Sequence, residues 1–239
     1  MLGDEYTISV EGYYKDYDHL LDLNELGGEG GEDDFLRGYG RAAGAEILLR
    51  KQKGSITGWL GYALTFTDRT IELPRSSYFL GNLDIKKEYQ TYPPSYDRRH
   101  TLTLVANVQP GGKWKLSTRF TYASGLPETP TVGWKRLYSL EDDPNEVTGD
   151  VAPLKAPKNS RRYPAYIRWD ISATRTYRFK NWSLQPFLQI INLTNHKNIF
   201  IYNYDLEREF DGEGNLLPAK REGIPMFPLV PTIGVSFKF

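Results

Sequence analysis

Apolar and polar residues alternate with a period of two in residues 101–109 and again in residues 232–239. Successive side chains of a β-strand point to opposite faces, so each stretch predicts a strand with one apolar face. In the second stretch that face consists of Ile233, Val235, Phe237 and Phe239. A soluble protein rarely leaves such an aromatic strand unprotected, because its edge invites aggregation. A membrane barrel needs an apolar row that faces lipid and aromatic residues at the interface, so the pattern favours a barrel.

Eight segments follow this rule and predict eight strands. Their approximate bounds are 6–15, 44–50, 55–67, 101–109, 114–124, 165–179, 182–194 and 232–239. The connections after the second, fourth and sixth strands are tight turns, whereas the other four are long loops. These loops run at about 16–43, 68–99, 125–164 and 195–228. Short periplasmic turns that alternate with long external loops are typical of outer-membrane barrels. The sequence therefore predicts an all-β fold, a single antiparallel transmembrane β-barrel segment over residues 1–239.

Composition agrees with a barrel and excludes two other classes. Mean hydropathy is −0.54, and no segment approaches the ~20 apolar residues of a membrane helix. Aromatic residues make up 14% of the chain, enough for girdles at both membrane interfaces. Candidates for the girdles are Trp114, Tyr122, Tyr177, Trp182 and Phe239. The 30 basic and 30 acidic residues balance, so there is no electrostatic argument for nucleic acid as a partner.

The faces opposite the apolar rows carry short polar side chains with few charges. They include Thr101, Thr103, Asn107, Ser117, Arg119, Thr121, Arg168, Asp170, Ser172, Thr174, Gln185 and Gln189. A narrow eight-stranded barrel must fill its interior with packed side chains, so this row suits a wide, wet lumen better. Arg168 and Asp170 lie two positions apart on this face, where they can pair with each other or with a plug, or serve as ordinary wall residues.

No arrangement of residues predicts an enzyme, a metal site or a cofactor. Cysteine is absent, the three histidines lie at or near loops, and no Gly-x-Ser-x-Gly elbow occurs. The acidic runs at 32–34 and 141–143 lack the spacing of a calcium loop, so we interpret them as solvated loop charge. Substrate contact would fall to the long loops, since loops reach outward and carry variable function. Unranked loop candidates for this contact are Tyr39, Tyr78, Tyr92, Trp134 and Tyr202.

Four motifs resemble TonB-dependent outer-membrane receptors, most closely the Bacteroidota type. They are the closing strand at 225–239, Tyr-Asp-Arg-Arg-His at 96–100, the R-x-D-x-S strand within 163–172 and Asn-Leu-Thr-Asn at 192–195. The resemblance implies the C-terminal portion of a barrel of about 22 strands with an N-terminal plug, for which this sequence has no counterpart. It implies uptake of a bulky nutrient (a siderophore, glycan or peptide) across the outer membrane of a Gram-negative bacterium.

The same resemblance implies three partners. These are outer-membrane lipid, the barrel-insertion machinery and, through a plug domain absent here, the TonB complex. The insertion machinery would recognise the apolar face of the closing strand, which consists of Ile233, Val235, Phe237 and Phe239. The first residues, Met-Leu-Gly-Asp-Glu-Tyr, have neither a basic n-region nor an apolar h-region. We therefore expect either a signal that was removed or a longer polypeptide.

Two alternatives stay open at the level of sequence. One is a self-contained eight-stranded outer-membrane barrel that acts as an adhesin or small porin. The other is a soluble β-sandwich that binds carbohydrate through its loop aromatics; a sandwich would bury its apolar faces between two sheets. The strict alternation of short and long connections and the aromatic terminus favour the barrel over both.

Overall fold

The computed structural model describes residues 5–23, 35–73, 88–137, 150–204 and 220–239, with the backbone alone at 134–137 and 150–152. Within these ranges the secondary structure is entirely β, and every pair of strands is antiparallel. The described part contains no helix long and apolar enough to cross a membrane.

The strands are numbered in chain order. They are β1 (Tyr6–Leu23), β2 (Phe35–Lys51), β3 (Ile56–Glu72), β4 (Tyr89–Tyr92), β5 (His100–Gly111), β6 (Trp114–Ala123), β7 (Pro127–Glu128), β8 (Thr131–Leu137), β9 (Asp150–Lys155), β10 (Arg161–Arg162), β11 (Tyr166–Arg175), β12 (Tyr177–Arg178), β13 (Ser183–Ile191), β14 (Ile199–Tyr204), β15 (Arg221–Pro225) and β16 (Val230–Lys238).

Ten of these strands form one sheet, and its eight long members follow chain order as a meander. Their order across the sheet is β1-β2-β3-β5-β6-β11-β13-β16. Two short strands complete the sheet: β4 pairs with the far end of β3, and β12 continues β11 against β13. Within the described residues β1 pairs only with β2 and β16 only with β13, so the sheet is open. The predicted antiparallel meander of eight strands is confirmed.

The register gathers the apolar residues on one face of the sheet, which we call the apolar face. One row, read across six neighbouring strands, consists of Ile8, Leu49, Leu60, Leu104, Phe120 and Trp169. Among the described hydrophobic residues only Ala42, Ile71, Tyr92 and Ala123 are buried. The sheet therefore has almost no core of its own, and its apolar face far exceeds the patches that monomeric soluble proteins expose. Such a face is suited to lipid.

The opposite face, which we call the polar face, carries the predicted inward row. One of its rows consists of Thr57, Asn107, Ser117, Ser172, Gln189 and Thr232. Hydrogen bonds link neighbours within the face, such as Ser117 Oγ to Asn107 Oδ1 at 2.8 Å. Arg168 forms a bidentate pair with Asp170, with 2.8 Å from Nε to Oδ1 and 2.7 Å from Nη2 to Oδ2. These two residues pair with each other, as one of the sequence interpretations proposed.

Aromatic side chains gather at the end of the sheet that carries the short turns. The rings of Phe179 and Trp182 stack with centroids 4.1 Å apart, and Phe237 lies 6.3 Å from Trp182. Trp114 and Tyr177 lie at the same end. This is the arrangement expected of an interfacial belt, because aromatic rings favour the headgroup level of a membrane.

The strands extend beyond the predicted ends, and the predicted loop bounds are corrected accordingly. Residues 16–23 and 35–43, predicted as loop, belong to β1 and β2, with a register shift between Tyr17 and Leu20. The other three predicted loops contain β4, β7 to β10, and β14 and β15. A strand that leaves the bilayer keeps its backbone hydrogen bonds but no longer needs an apolar face. The alternation therefore fades before the strand ends.

Candidate functional site

A buried ion pair holds three connections together at the long-loop end of the sheet. Asp97 is 1% exposed, and its carboxylate accepts a hydrogen bond from Nη2 of Arg162. The second terminal nitrogen of Arg162, Nη1, donates to the carbonyl oxygens of Asp97 at 2.9 Å and Gly125 at 3.1 Å. Gly125 is needed there, because a Cβ would overlap the carbonyl oxygen of Tyr163. The segments before β5, after β6 and before β11 are thus fixed relative to one another.

A second charged cluster lies next to this pair. Oε1 of Glu128 accepts from Nε of Arg161 and from Nη2 of Arg221, each at 2.8 Å. Arg161 also donates to the hydroxyl of Tyr204 at 2.9 Å. Two guanidinium groups therefore share one carboxylate, so the cluster keeps a net positive charge. The guanidinium of Arg221 lies 3.1 Å from the ring centroid of Tyr202, a cation–π contact.

Glu128, Tyr202 and Tyr204 of this cluster line a cavity of about 510 Å³ at the long-loop end. Tyr163 and Tyr202 stack along it, with ring centroids 5.1 Å apart and an interplanar angle of 20°. Hydroxyl, amide and aromatic groups make up about half of the other lining residues: Ser95, Ser124, Thr129, Asn159, Tyr166, Phe200 and Tyr204. Most of the rest are aliphatic side chains and prolines, such as Leu126, Pro127 and Ile199. Arg98 also lines the cavity. It is half-buried, and no carboxylate pairs with it within the described residues. The cavity therefore combines ring faces and hydroxyl groups with the guanidinium of Arg98 and the carboxylate of Glu128.

Tyr163 keeps its proton in this setting. Burial, and then the nearby carboxylate of Glu128, raise the pKa of its hydroxyl above the ordinary value for tyrosine. A raised pKa favours the neutral phenol, so this hydroxyl can still donate a hydrogen bond at physiological pH.

A second recess of about 550 Å³ continues from the cavity toward the polar face. The two share Tyr166, Phe200 and Met226, and the second reaches Arg168. Its far wall is formed by Asn192, which is 1% exposed and has a φ of 54°. The connected recesses thus lead from the loop end to the wall of the lumen.

The predicted Asn-Leu-Thr-Asn boundary is a hydrogen-bonded turn that anchors this wall. The amide of Asn192 donates from Nδ2 to the carbonyl oxygens of His196 and Phe227, each at 3.1 Å, and its backbone N–H donates to Asp170 Oδ1 at 2.9 Å. Asn198 pairs through its side chain with both backbone groups of Ile167, each at 2.8 Å. The two motifs therefore join the end of β13 to β11 and to the start of β16.

The structure brings one of the five predicted substrate contacts to the cavity, namely Tyr202. Tyr92 is buried instead; its hydroxyl donates to Asp22, and Lys158 lies over its ring at 5.1 Å. Tyr39 is 48% exposed, and its register position puts it on the apolar face. Trp134 belongs to β8 but its side chain is not described, and Tyr78 lies outside the described residues. Substrate contact by any of the five stays a prediction.

The sequence interpretation missed most of the cavity. Tyr163 directly follows two arginines and precedes an alternating strand, and this cluster of charge and aromatic character was the one available signal. Glu128 and Arg221 gave none, because they are ordinary charged loop residues 93 positions apart. Within the described residues no three His, Asp or Glu side chains come together in a way that could hold a metal ion.

The predicted assembly residues form an exposed row on β16 and at the residue after it. Ile233 is 81% exposed, Val235 53%, Phe237 58% and Phe239 94%. Opposite neighbours on β13 continue the row, since Ile233 pairs with Leu188 and Phe237 with Leu184. The row thus lies on the apolar face.

An antiparallel meander with one lipid-suited face, one polar face, tight turns at one end and a polar cavity at the other defines a transmembrane β-barrel of the outer-membrane class. A family model described as TonB dependent receptor-like, beta-barrel, matches residues 1–193. The chain belongs to this family of TonB-dependent receptor barrels. No curated protein and no solved structure matches the chain.

Membership in this family has consequences for function and location. The family consists of transporters, not enzymes, and its barrels lie in the outer membrane of Gram-negative bacteria, where they work with TonB. The chain therefore has a receptor-like role in transport.

Proposed function

We propose that the chain is the C-terminal portion of the barrel of a Bacteroidota-type TonB-dependent receptor that takes up a bulky nutrient, such as a siderophore, glycan or peptide. The observation that carries the proposal is the family match over residues 1–193. The apolar row of β16 (Ile233, Val235 and Phe237) is exposed, and the resemblance of this strand to the closing strand of the family adds support for the C-terminal position.

Two features indicate that residues 1–239 form a segment of a larger barrel and do not close into a barrel of their own. Within the described residues the outer edges of β1 and β16 have no partner strand, and lipid does not tolerate open sheet edges. Further strands on either side would satisfy them. The polar face is also lined by short hydroxyl and amide side chains, which suit a wide lumen that meets water or a plug.

We assign first contact with the nutrient to the cavity that is lined by the stacked tyrosines and Arg98. Its volume of about 510 Å³ falls within the usual range of ligand pockets, so it would hold one part of a bulky substrate. Ring faces contact apolar or sugar surfaces, while hydroxyl and amide groups orient polar ones. The recess that leads on to Arg168 gives the substrate a route toward the lumen.

The test compares two tyrosines at the same end of the sheet in the intact protein. Cells that depend on this receptor are grown on a panel of ferric siderophores, glycans and peptides as limiting sources of iron, carbon or nitrogen. We expect Tyr202→Ala to lower uptake of the active substrate about tenfold, as loss of a stacked ring in a binding site does. Tyr39→Ala, on the apolar face, is the matched control. Equal uptake by both variants and the wild type would refute the role of the cavity, and growth on none of the panel through TonB would refute nutrient uptake.

A further inference from the structure

Arg175 is a cation on the apolar face, at the end with the short turns. It lies opposite Trp114 in the register, and its guanidinium contacts the rings of Trp114 at 5.2 Å and Tyr177 at 4.9 Å. Its Nε is buried without a hydrogen-bond partner, and no carboxylate pairs with the side chain within the described residues. Within the described part of the chain this half-buried guanidinium therefore has an unused donor and no counter-charge.

A break in the sheet forms a recess beside this arginine. Pro186 has no N–H to donate, and pairing of β11 with β13 ends at Thr174. Pairing resumes with Tyr177 of β12, after the chain has bent so that Thr176 donates to the carbonyl of Lys113 at 2.7 Å. The recess has a volume of about 720 Å³. Its outward walls are almost wholly apolar and include Trp114, Ala173, Leu188, Ile233 and Val235.

A second recess of about 290 Å³ continues the first one away from the turns. Ala173 and Leu188 line both, and Ala106 and Thr118 keep the floor low because their side chains are short. Together the two recesses form what we call the Arg175 groove, a shallow apolar track that begins at the guanidinium and runs toward the middle of the apolar face.

We propose that the Arg175 groove binds one glycerophospholipid of the inner leaflet, with its phosphate on Arg175 and an acyl chain along the track. A guanidinium matches phosphate through paired hydrogen bonds, and the flanking tryptophan and tyrosine are the side chains that favour headgroup depth. In outer-membrane barrels the short turns face the periplasm, so the leaflet in reach of Arg175 is the inner one. A water-soluble anion would leave the apolar track empty.

The inference rests on the chain being a membrane barrel and is independent of what the receptor transports. The site is distinct from the cavity at the long-loop end, because the two share no lining residue and Arg175 lies at the opposite end of the sheet.

The test is a lipid titration of the intact protein, purified in detergent and followed by native mass spectrometry. The probe is phosphatidylglycerol, and two fragments of it serve as comparison: diacylglycerol, which lacks the phosphate, and glycerol phosphate, which lacks the chains. We expect one phosphatidylglycerol to stay bound where bulk lipid is stripped, and each fragment to bind at least about tenfold more weakly.

Three variants separate the parts of the groove. Arg175→Gln should weaken phosphatidylglycerol binding about tenfold, since it removes a charged hydrogen-bond donor. Ala173→Phe should weaken it similarly by filling the track while the charge remains. Arg178→Gln, an exposed cation near the same turn, is the control and should bind as the wild type does. Heat-modifiable migration in gels checks that each variant is folded, and Ala106→Phe replaces Ala173→Phe if that variant is not.

Several outcomes would overturn the inference. If Arg175→Gln binds phosphatidylglycerol as tightly as the wild type, the phosphate does not contact Arg175. If the folded groove-filling variant binds it as tightly as the wild type, the acyl chain does not lie along the track. An equal loss in Arg178→Gln would mean general attraction of anionic lipid by surface charge. Tight binding of glycerol phosphate would mean an anion site only.

Discussion

At the scale of single residues, two ion pairs of this chain differ in how far they are buried. Asp97 is enclosed between Arg162 and Arg99, which lies 3.8 Å away, and its side chain is wholly buried. Asp16 pairs with Arg41 at 3.5 Å, but both side chains are about 60% exposed. A buried carboxylate depends on its partner, whereas an exposed pair is screened by water.

Asp97→Asn should therefore destabilise the protein and Asp16→Asn should not. The first change leaves Arg162 without its counter-charge, and because that guanidinium is partly exposed we expect a loss of about 2 kcal/mol. The second should cost less than about 0.5 kcal/mol. Urea unfolding of the purified protein, followed by tryptophan fluorescence, measures both. Equal midpoints for the two variants would show that the Asp97–Arg162 pair does not hold the loop end together.

Asp97 was visible in the sequence as part of the motif at 96–100, and Arg162 lies directly before the motif at 163–172, but their contact could not be predicted. Asp97 and Arg162 are 65 positions apart, and each lies in a long connection with no periodic pattern. The same holds for Glu128 and Arg221. Periodicity reports which face a strand residue occupies, and it carries no information about which loops meet. For that reason Tyr202 was predicted near substrate without Tyr163, its stacking partner.

At the scale of elements, the strands were predictable wherever the environment differs between their faces. Strands β5, β6 and β16 agree with their predicted bounds to within about two residues, because lipid on one side and water on the other impose the alternation. The outer halves of β1 and β2 were missed, since polar residues such as Asp16 and Arg41 interrupt the apolar row there. The hairpins β8–β9 and β14–β15 were missed because their short sequences do not alternate apolar and polar residues with a period of two.

The closing strand allows assembly to be separated from stability. Phe239 is 94% exposed, so it contributes little packing within the sheet, and a requirement for it would come from recognition during insertion. Phe239→Ser should lower the amount of protein in the outer membrane several-fold, while the protein that does insert unfolds at the wild-type urea concentration. Phe227→Ser is the control: this phenylalanine is 80% exposed and lies near the loop end. Wild-type membrane levels of Phe239→Ser, or an equal fall for Phe227→Ser, would exclude a recognition role for the terminal aromatic residue.

At the scale of the whole molecule, the described strands form an open sheet and not a closed barrel. Its apolar face and polar face were both predictable from the alternation, and so was the order of the strands from the alternation of short and long connections. Closure was not predictable, because a strand pattern is the same in a narrow barrel and in an arc of a wide one. Among the described strands the outer edges of β1 and β16 have no partner, and lipid excludes unpaired backbone groups, so closure of the sheet is the decisive question.

The size of the native polypeptide shows whether the eight strands close on themselves or belong to a larger barrel. An antibody to this segment, applied to fractionated membranes of the source cell, should detect an outer-membrane band several times larger than 27.4 kDa, because the missing neighbours of both edges would then come from the same chain. A band near 27.4 kDa that shifts on boiling would instead mean that the eight strands close on themselves, and the adhesin or small-porin alternative would replace the receptor segment. In that case the side chains of the inward row would have to fill a narrow interior, and short polar side chains are poorly suited to that. A band in the soluble fraction would contradict the interpretation that the apolar face contacts lipid.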